Sequence, residues 1–151
     1  MKFSFDHVEL VDAHPNTVKL NLTGVNGSVL EVVAASIGGG RIRVCEIDGL
    51  PANFEGDYPT LIVRNIDQPG HVMEVTAMLG HKGVNIATLQ LFRQSRGGQA
   101  AMVIECDQEV PAESIKWLSR QEGIVKVTYL SQAQRKIKMM QCERIEICIN
   151  H

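Results

Sequence analysis

Asp67-Gln68-Pro69-Gly70, followed by His71 and Val72, is the stretch of this 151-residue chain whose residue types and spacing best suit binding of a small zwitterion. An amino acid carries a carboxylate and an ammonium on one carbon, so a receptor must present donors to the first and acceptors to the second. Pro69 presets the start of a helix, and Gly70 lets the main chain come close to a ligand. The amides of His71 and Val72 then meet the positive end of the helix dipole, where a carboxylate is stabilised. Asp67 can accept from the ammonium, and Asn85, at the start of the following strand, can bond to either group. A plainer reading fits the same residues: a strand-to-helix turn in which Asp67 caps the helix and Gly70 serves backbone geometry alone. The residues themselves leave both readings open.

Elsewhere, the reactive residue types fall into patterns with simpler explanations. Gly38-Gly39-Gly40 lacks the Lys-Ser/Thr of a phosphate loop and the G-x-G-x-x-G spacing of a dinucleotide site, which favours a tight bend between strands. His14-Pro15-Asn16 makes a good turn. Cys45, Cys106, Cys142 and Cys148 include no C-x-x-C pair and no nearby His ladder, so they read as structural or incidental thiols and no metal site is expected. His7, His71 and His81 have no Ser or Cys partner in a motif and read as solvated or structural; no catalytic residue is expected. Trp117, the single tryptophan, is expected to be a helix packing residue.

The hydrophobic pattern outlines the elements that must position these residues. From Phe3 to Ile47 the dominant period is two, as in Val18, Leu20 and Leu22 alternating with Lys19, Asn21 and Thr23. Asn26-Gly27 signals a hairpin because both residues tolerate positive φ, and Arg41 to Ile47 alternates as a further strand ending at Asp48-Gly49. A segment of about 50 residues is small for an independent core, so it is expected to need a missing partner segment. Pro51, Asn53, Gly56 and Pro59 place a linker over 51–59.

Beyond the linker, Thr60 to Ile66 is a β-branched strand, and the helix after Gly70 repeats Val72, Val75, Met78 and Leu79 at helical spacing before Gly83. Val84 to Phe92 and Ala100 to Cys106 read as strands joined by a hairpin loop at Ser95 to Gly98. Pro111 suits a first helical position, Ile115 and Leu118 lie three apart, and Gly123 stops this second helix before strand Ile124 to Leu130. The order β-α-β-β-α-β is ferredoxin-like, with two helices on one face of an antiparallel sheet. The fold class is therefore α+β: a β-rich segment at 1–50, the linker, a ferredoxin-like domain at 60–130 and a C-terminal extension at 131–151. Within the extension, Gln134 to Lys138 suits a helix and Arg144 to Ile149 alternates like a strand.

The hydrophobic fraction of 44% suffices for a compact core, and a formal charge of −2 provides no basic field for nucleic acid. The longest apolar runs fall far short of the roughly 20 residues a spanning helix requires. Met1 to Leu10 contains charges where a signal peptide has an apolar block, so a cytoplasmic protein without membrane contact is expected.

Leu61 to Gly70, followed by Gly83-Val84-Asn85-Ile86-Ala87, resembles the ACT domain, with both motifs at the correct places in the element order. ACT domains bind amino acids or similar small ligands and regulate an attached or associated enzyme. The resemblance therefore implies regulation over catalysis. It also matches Asn65, Asp67 and Asn85 to positions lining ligand sites between paired ACT domains, which implies a homodimer through this domain.

His14-Pro15-Asn16-Thr17, Ser36 to Ile42 and Ile47-Asp48-Gly49 resemble the latter part of the allosteric substrate-binding domain of bacterial iron-sulfur L-serine dehydratases. In the two-chain form of that enzyme, this domain and an ACT domain share the beta chain. The likeness covers roughly residues 1–130. It implies a regulatory beta chain, or a fragment of one, that senses L-serine or a related amino acid. A catalytic alpha chain would be its partner and would hold the [4Fe-4S] cluster, leaving this chain without a cofactor and inactive alone. By resemblance, His14, Asn16, Gly38, Gly39 and Gly40 take ligand-facing roles in the first domain.

Three departures accompany the likeness: the family's Ser-Ser-Ser-His-Thr motif is absent, no cysteine matches the cluster ligands, and residues 131–151 run past the usual end of the ACT fold. Two rival readings remain. One is a free-standing amino-acid-binding ACT protein; the other is the regulatory end of a serine-pathway enzyme such as phosphoglycerate dehydrogenase, against which the glycine-rich stretch at 36–42 speaks.

Overall fold

Period-two alternation in the first third of the chain becomes a run of antiparallel strands in a computed structural model that describes residues 2–8, 15–132 and 142–150. Strands β1 (Lys2–Val8), β2 (Thr17–Gly24), β3 (Val29–Gly38), β4 (Arg41–Ile47) and β5 (Leu50–Phe54) come before the ferredoxin-like part. The β2–β3 turn is held by Asn26, whose Oδ1 accepts from the Ser28 amide at 3.1 Å and hydroxyl at 2.7 Å, with Gly27 at φ 77°. Among the described residues, Ala34, Ala35, Val44, Ile47, Leu50, Ala52 and Phe54 are buried apolar side chains of this sheet.

The chain divides into two compact units, one made of residues 1–55 and 134–151 and the other of residues 56–133. The strand β10 (Cys142–Asn150) lies between β1 and β2, giving the order β1-β10-β2-β3-β4-β5. It runs parallel to β1 and antiparallel to β2, so that Ile147 is paired with Phe5 on one side and Leu20 on the other. The expected extension at 131–151 is thus corrected: its alternating Arg144 to Ile149 belongs to an interior strand of the first sheet. The helix suggested for Gln134 to Lys138 lies outside the described residues, as does His14.

The linker expected over 51–59 is also corrected, because Leu50–Phe54 pairs with β4 through Ile47↔Leu50, Glu46↔Pro51 and Val44↔Phe54. Pro51 is tolerated there because β5 is an edge strand, where a missing N–H interrupts no second ladder.

The second unit follows the expected order: β6 (Thr60–Ile66), α1 (His71–His81), β7 (Ile86–Arg93), β8 (Gln99–Cys106), α2 (Ala112–Leu118) and β9 (Ile124–Leu130). Its sheet order is β7-β8-β6-β9 with every neighbouring pair antiparallel, which is the ferredoxin-like arrangement. Leu61 and Val63 of β6, Met102, Ile104 and Cys106 of β8, Val75, Met78 and Leu79 of α1, and Leu118 of α2 form one core.

Two helix residues depart from expectation. Val72 is 38% exposed while His71 is buried, so the inward stripe of α1 is His71, Val75, Met78 and Leu79. Trp117 is 45% exposed and is not a core packing residue, because Ser114 and Leu118, four apart, occupy the inward face of α2. Pro111 caps α2 instead of occupying its first turn.

Candidate functional site

Gly70 is the N-cap of α1, with φ 102° and ψ −26°, a left-handed conformation that favours glycine. Its carbonyl accepts the Glu74 amide at 2.9 Å and so begins the helix. Among the described residues, no side chain caps this helix start, and a Cβ on Gly70 would meet nothing within 4 Å. The mouth of α1 is therefore open on the Gly70 side, and the amides of His71 and Val72 lie in its first turn, where a carboxylate is stabilised.

Asp67 does not cap the helix. Its Oδ2 accepts from the Gly97 amide at 3.1 Å and from Arg93 Nη1 at 3.2 Å, while its own amide donates to the Gly98 carbonyl at 2.8 Å. The carboxylate thus ties the β7–β8 loop to the turn before α1. The Gly97 N–H, with help from the Arg93 guanidinium, holds the Asp67 carboxyl below its ordinary range against a smaller opposing effect of desolvation.

Asn65 lies near the C-terminal end of β6, on the same face as Leu61 and Val63. It is 3% exposed; its Nδ2 donates to the Ile66 carbonyl at 2.8 Å, and its Oδ1 is buried with no hydrogen-bond partner among the described residues. An unpaired buried oxygen of this kind costs about 1–3 kcal/mol. His71 is held by packing: a Cβ on Gly123 would come 2.6 Å from His71 Nε2, so the ring lies directly against that glycine. Its Nδ1 is 3.6 Å from Glu74 Oε2.

Asn85 is elsewhere. Its Nδ2 donates to Asp107 Oδ2 at 2.6 Å, its amide donates to Gln108 Oε1 at 2.6 Å, and its carbonyl accepts the Asp107 amide at 3.0 Å. Those residues follow the C-terminal end of β8, whereas Asp67 bonds to the loop before its N-terminal end. The register separates the two places by the length of β8, about 25 Å. Asn65, Asp67, Gly70, His71 and Val72 are thus brought to one end of the sheet, and Asn85 to the other.

In the first unit, Gly38, Gly39 and Gly40 have φ of 87°, 63° and 76°, and a Cβ on any of them would meet nothing within 4 Å. Positive φ alone accounts for these glycines. Asn16 lies at the same end of the β2–β3 pair, its carbonyl accepting the Ser36 amide at 2.9 Å.

Among the described residues, no three His, Cys, Asp or Glu side chains are grouped to hold a metal ion. No helix among them is long and apolar enough to cross a membrane. Sequence reasoning missed Arg93 and Gly97 as partners of Asp67, and Asp107 and Gln108 as partners of Asn85. None of these contacts has a local signal, because each joins residues more than 20 positions apart.

With this geometry in place, comparison with known proteins narrows the reading. The chain is 31% identical over 123 residues to a protein of Bacillus subtilis named as a probable L-serine dehydratase beta chain, covering 82% of this chain and 56% of that one. It is 30% identical over 103 residues to the L-serine dehydratase beta chain of Peptoniphilus asaccharolyticus, covering 68% of this chain and 46% of the other. The chain is similar to L-serine dehydratase beta chains. It spans about half the length of these relatives.

A D-3-phosphoglycerate dehydrogenase of Bacillus subtilis is 31% identical over 117 residues, which cover 76% of this chain and 22% of the dehydrogenase. Both Bacillus matches are longer than the second unit and so take in residues of the first. The glycine-rich stretch at 36–42 therefore does not separate the two relationships by itself. No family profile matches the chain.

Proposed function

We propose that this chain is the regulatory beta chain, or a part of one, of an L-serine dehydratase, and that it senses L-serine or a related amino acid through its second unit. The observation that carries this reading is coverage: the matched residues make up over half of a dehydratase beta chain but less than a quarter of the dehydrogenase. In this reading a catalytic alpha chain holds the [4Fe-4S] cluster and converts L-serine to pyruvate and ammonia, and the present chain determines when it does so.

The effector's carboxylate takes the open first turn of α1 beyond Gly70, and its ammonium takes Asp67, whose two described acceptor bonds both fall on Oδ2. Asn85 lies too far along the sheet to join them within one chain. A second copy related by a two-fold axis would bring its Asn85 to the first copy's helix mouth, and the reverse, making two equivalent sites. Regulation follows from differential affinity: an effector shifts the dehydratase only as far as it binds one subunit arrangement better than the other.

Calorimetric titration with L-serine tests the sensor. Saturable heat is expected with the unmodified chain, and Asp67→Ala or Asn85→Ala should weaken it by about tenfold or more. No heat from the unmodified chain, or equal heat from all three, removes the proposed site. Co-purification from the native cell tests the assignment to the dehydratase, since recovery with a cysteine-bearing alpha chain is expected and its repeated absence overturns that assignment. The second reading, a regulatory part of a phosphoglycerate dehydrogenase, rests on the 117-residue match and expects recovery with a nucleotide-binding dehydrogenase chain.

A further inference from the structure

Between α1 and α2 the surface sinks into a groove of about 770 Å³, within the size range of small-ligand sites. Met73, Ala77, Met78 and Trp117 line it. Met73 is 72% exposed and Trp117 45% exposed, so neither is committed to the core. Where α1 ends and α2 begins, Lys82 Nζ lies 3.3 Å from Glu113 Oε1, and both side chains are open to solvent. Water competes for each charge of such a pair, so the contact is easily exchanged for another. Next to Glu113, Ser114 also lines the groove; it is 3% exposed and its hydroxyl has no hydrogen-bond partner among the described residues. Buried hydroxyls are ordinarily paired, and this one is left without a partner beside an ion pair.

The geometry points to a second ligand site: the α1–α2 groove accepts an amino acid with a large apolar side chain. Its carboxylate takes Lys82 and its ammonium takes Glu113, so a zwitterion exchanges the existing ion pair for two new ones and strands neither charge. The Ser114 hydroxyl donates to the carboxylate at the same end. The ligand's side chain then lies along Ala77 and Met78 toward Met73 and Trp117, where thioether and indole surfaces favour an aromatic or sulfur-bearing group. L-serine is a poor occupant because its hydroxymethyl group covers little of this apolar floor. The site does not use Asp67 or Asn85; Pro69, Gly70 and His71 line the opposite end of the same groove, so the two sites are neighbours at different ends of α1.

Trp117 is the only tryptophan of the chain and reports on the groove directly. The full chain is titrated with L-phenylalanine while Trp117 emission is followed at an excitation wavelength where phenylalanine does not absorb. A saturable change in emission is expected. Ala77→Leu fills the groove from an exposed helix position that tolerates leucine, and should abolish the change while leaving the circular dichroism spectrum and thermal midpoint close to those of the unmodified chain. Lys82→Gln should weaken the response by about tenfold, and Asp67→Ala should leave it intact. Absence of a saturable change, undiminished binding by Ala77→Leu, or loss of the response in Asp67→Ala would each overturn the proposal. Failure of L-serine to bind at the helix mouth would not affect it.

Discussion

Asp67 and Asn85 stand at opposite ends of one antiparallel sheet: the Asp67 amide bonds to Gly98, just before β8, and the Asn85 carbonyl to Asp107, just after it. A ligand that needs both must sit between two copies. Mixing the two damaged chains, Asp67→Ala and Asn85→Ala, therefore restores one intact site in each mixed dimer. Random mixing is expected to recover about a quarter of the unmodified number of L-serine sites, since half of the dimers are mixed and each has one good site. Calorimetric stoichiometry measures this, and no recovery after verified exchange of chains would falsify the shared site.

Acid should release the β7–β8 loop. Asp67 keeps its charge in the folded chain to lower pH than in the unfolded one, because the Gly97 amide and Arg93 bind the carboxylate. The contribution of this tie is complete above the ordinary value of 3.8 and is lost as the pH falls through the folded value below it. The Gly97 amide resonance should follow that titration and stop responding in Asp67→Asn. A midpoint at or above 3.8 would show that the tie is not formed in solution.

Gly123 cannot be replaced cheaply. A Cβ there would lie 2.6 Å from His71 Nε2 and 2.8 Å from Cε1, at a φ of 78° that L side chains rarely adopt. Gly123→Ala is expected to cost about 1–3 kcal/mol in denaturant unfolding. The same substitution at Gly97, also at positive φ but with open space around its Cβ, separates backbone strain from the clash with His71. Equal costs at the two positions would mean that the imidazole moves aside.

Ile147→Pro should break the first sheet and spare the second. Ile147 is paired on both sides, with Phe5 and with Leu20, so proline has no open edge to face. A loss on the order of 3 kcal/mol is expected, read as loss of amide protection in β1, β2 and β10 with β6 and β8 still protected. Uniform protection loss through both units would show instead that they unfold together.

The cysteines should differ sharply toward alkylation. Burial, reinforced by the charge of Asp107, pushes the Cys106 thiol up to about 11, while Cys45 is exposed. At pH near 8 the Cys106 thiolate is about one part in a thousand, so its labelling by iodoacetamide should lag that of Cys45 on the order of a hundredfold. Peptide mass spectrometry of a time course checks this. Comparable rates would place Cys106 at the surface.

Local chemistry made much of the second unit legible. Gly70 and Gly123 adopt the positive φ that only glycine accepts readily, and the apolar spacing of Val75, Met78 and Leu79 marks the buried stripe of α1. The phase of that stripe was less secure: Val72 fits the period as well as His71, and only the close seat against Gly123 decides that the imidazole turns inward. Trp117 misled for a related reason, because a large apolar residue one position from the inward face looks like core until the neighbouring helix is placed. Pro51 misled because a proline breaks an interior strand but not an edge strand, and edge position is not a local property.

By itself, then, the sequence determined the α+β class, the β-α-β-β-α-β order of the second unit and the helix mouth beyond Gly70. These follow from side-chain periodicity and backbone sterics within a few residues. Only the tertiary structure decided that the strand at 142–150 completes the first sheet, that Asp67 is tied to Gly97 and Arg93, that Asn85 is turned to the far end, and that α1 and α2 leave a groove between them. Each of these depends on pairing between residues far apart in the chain, where many partners satisfy the same local pattern and packing selects one.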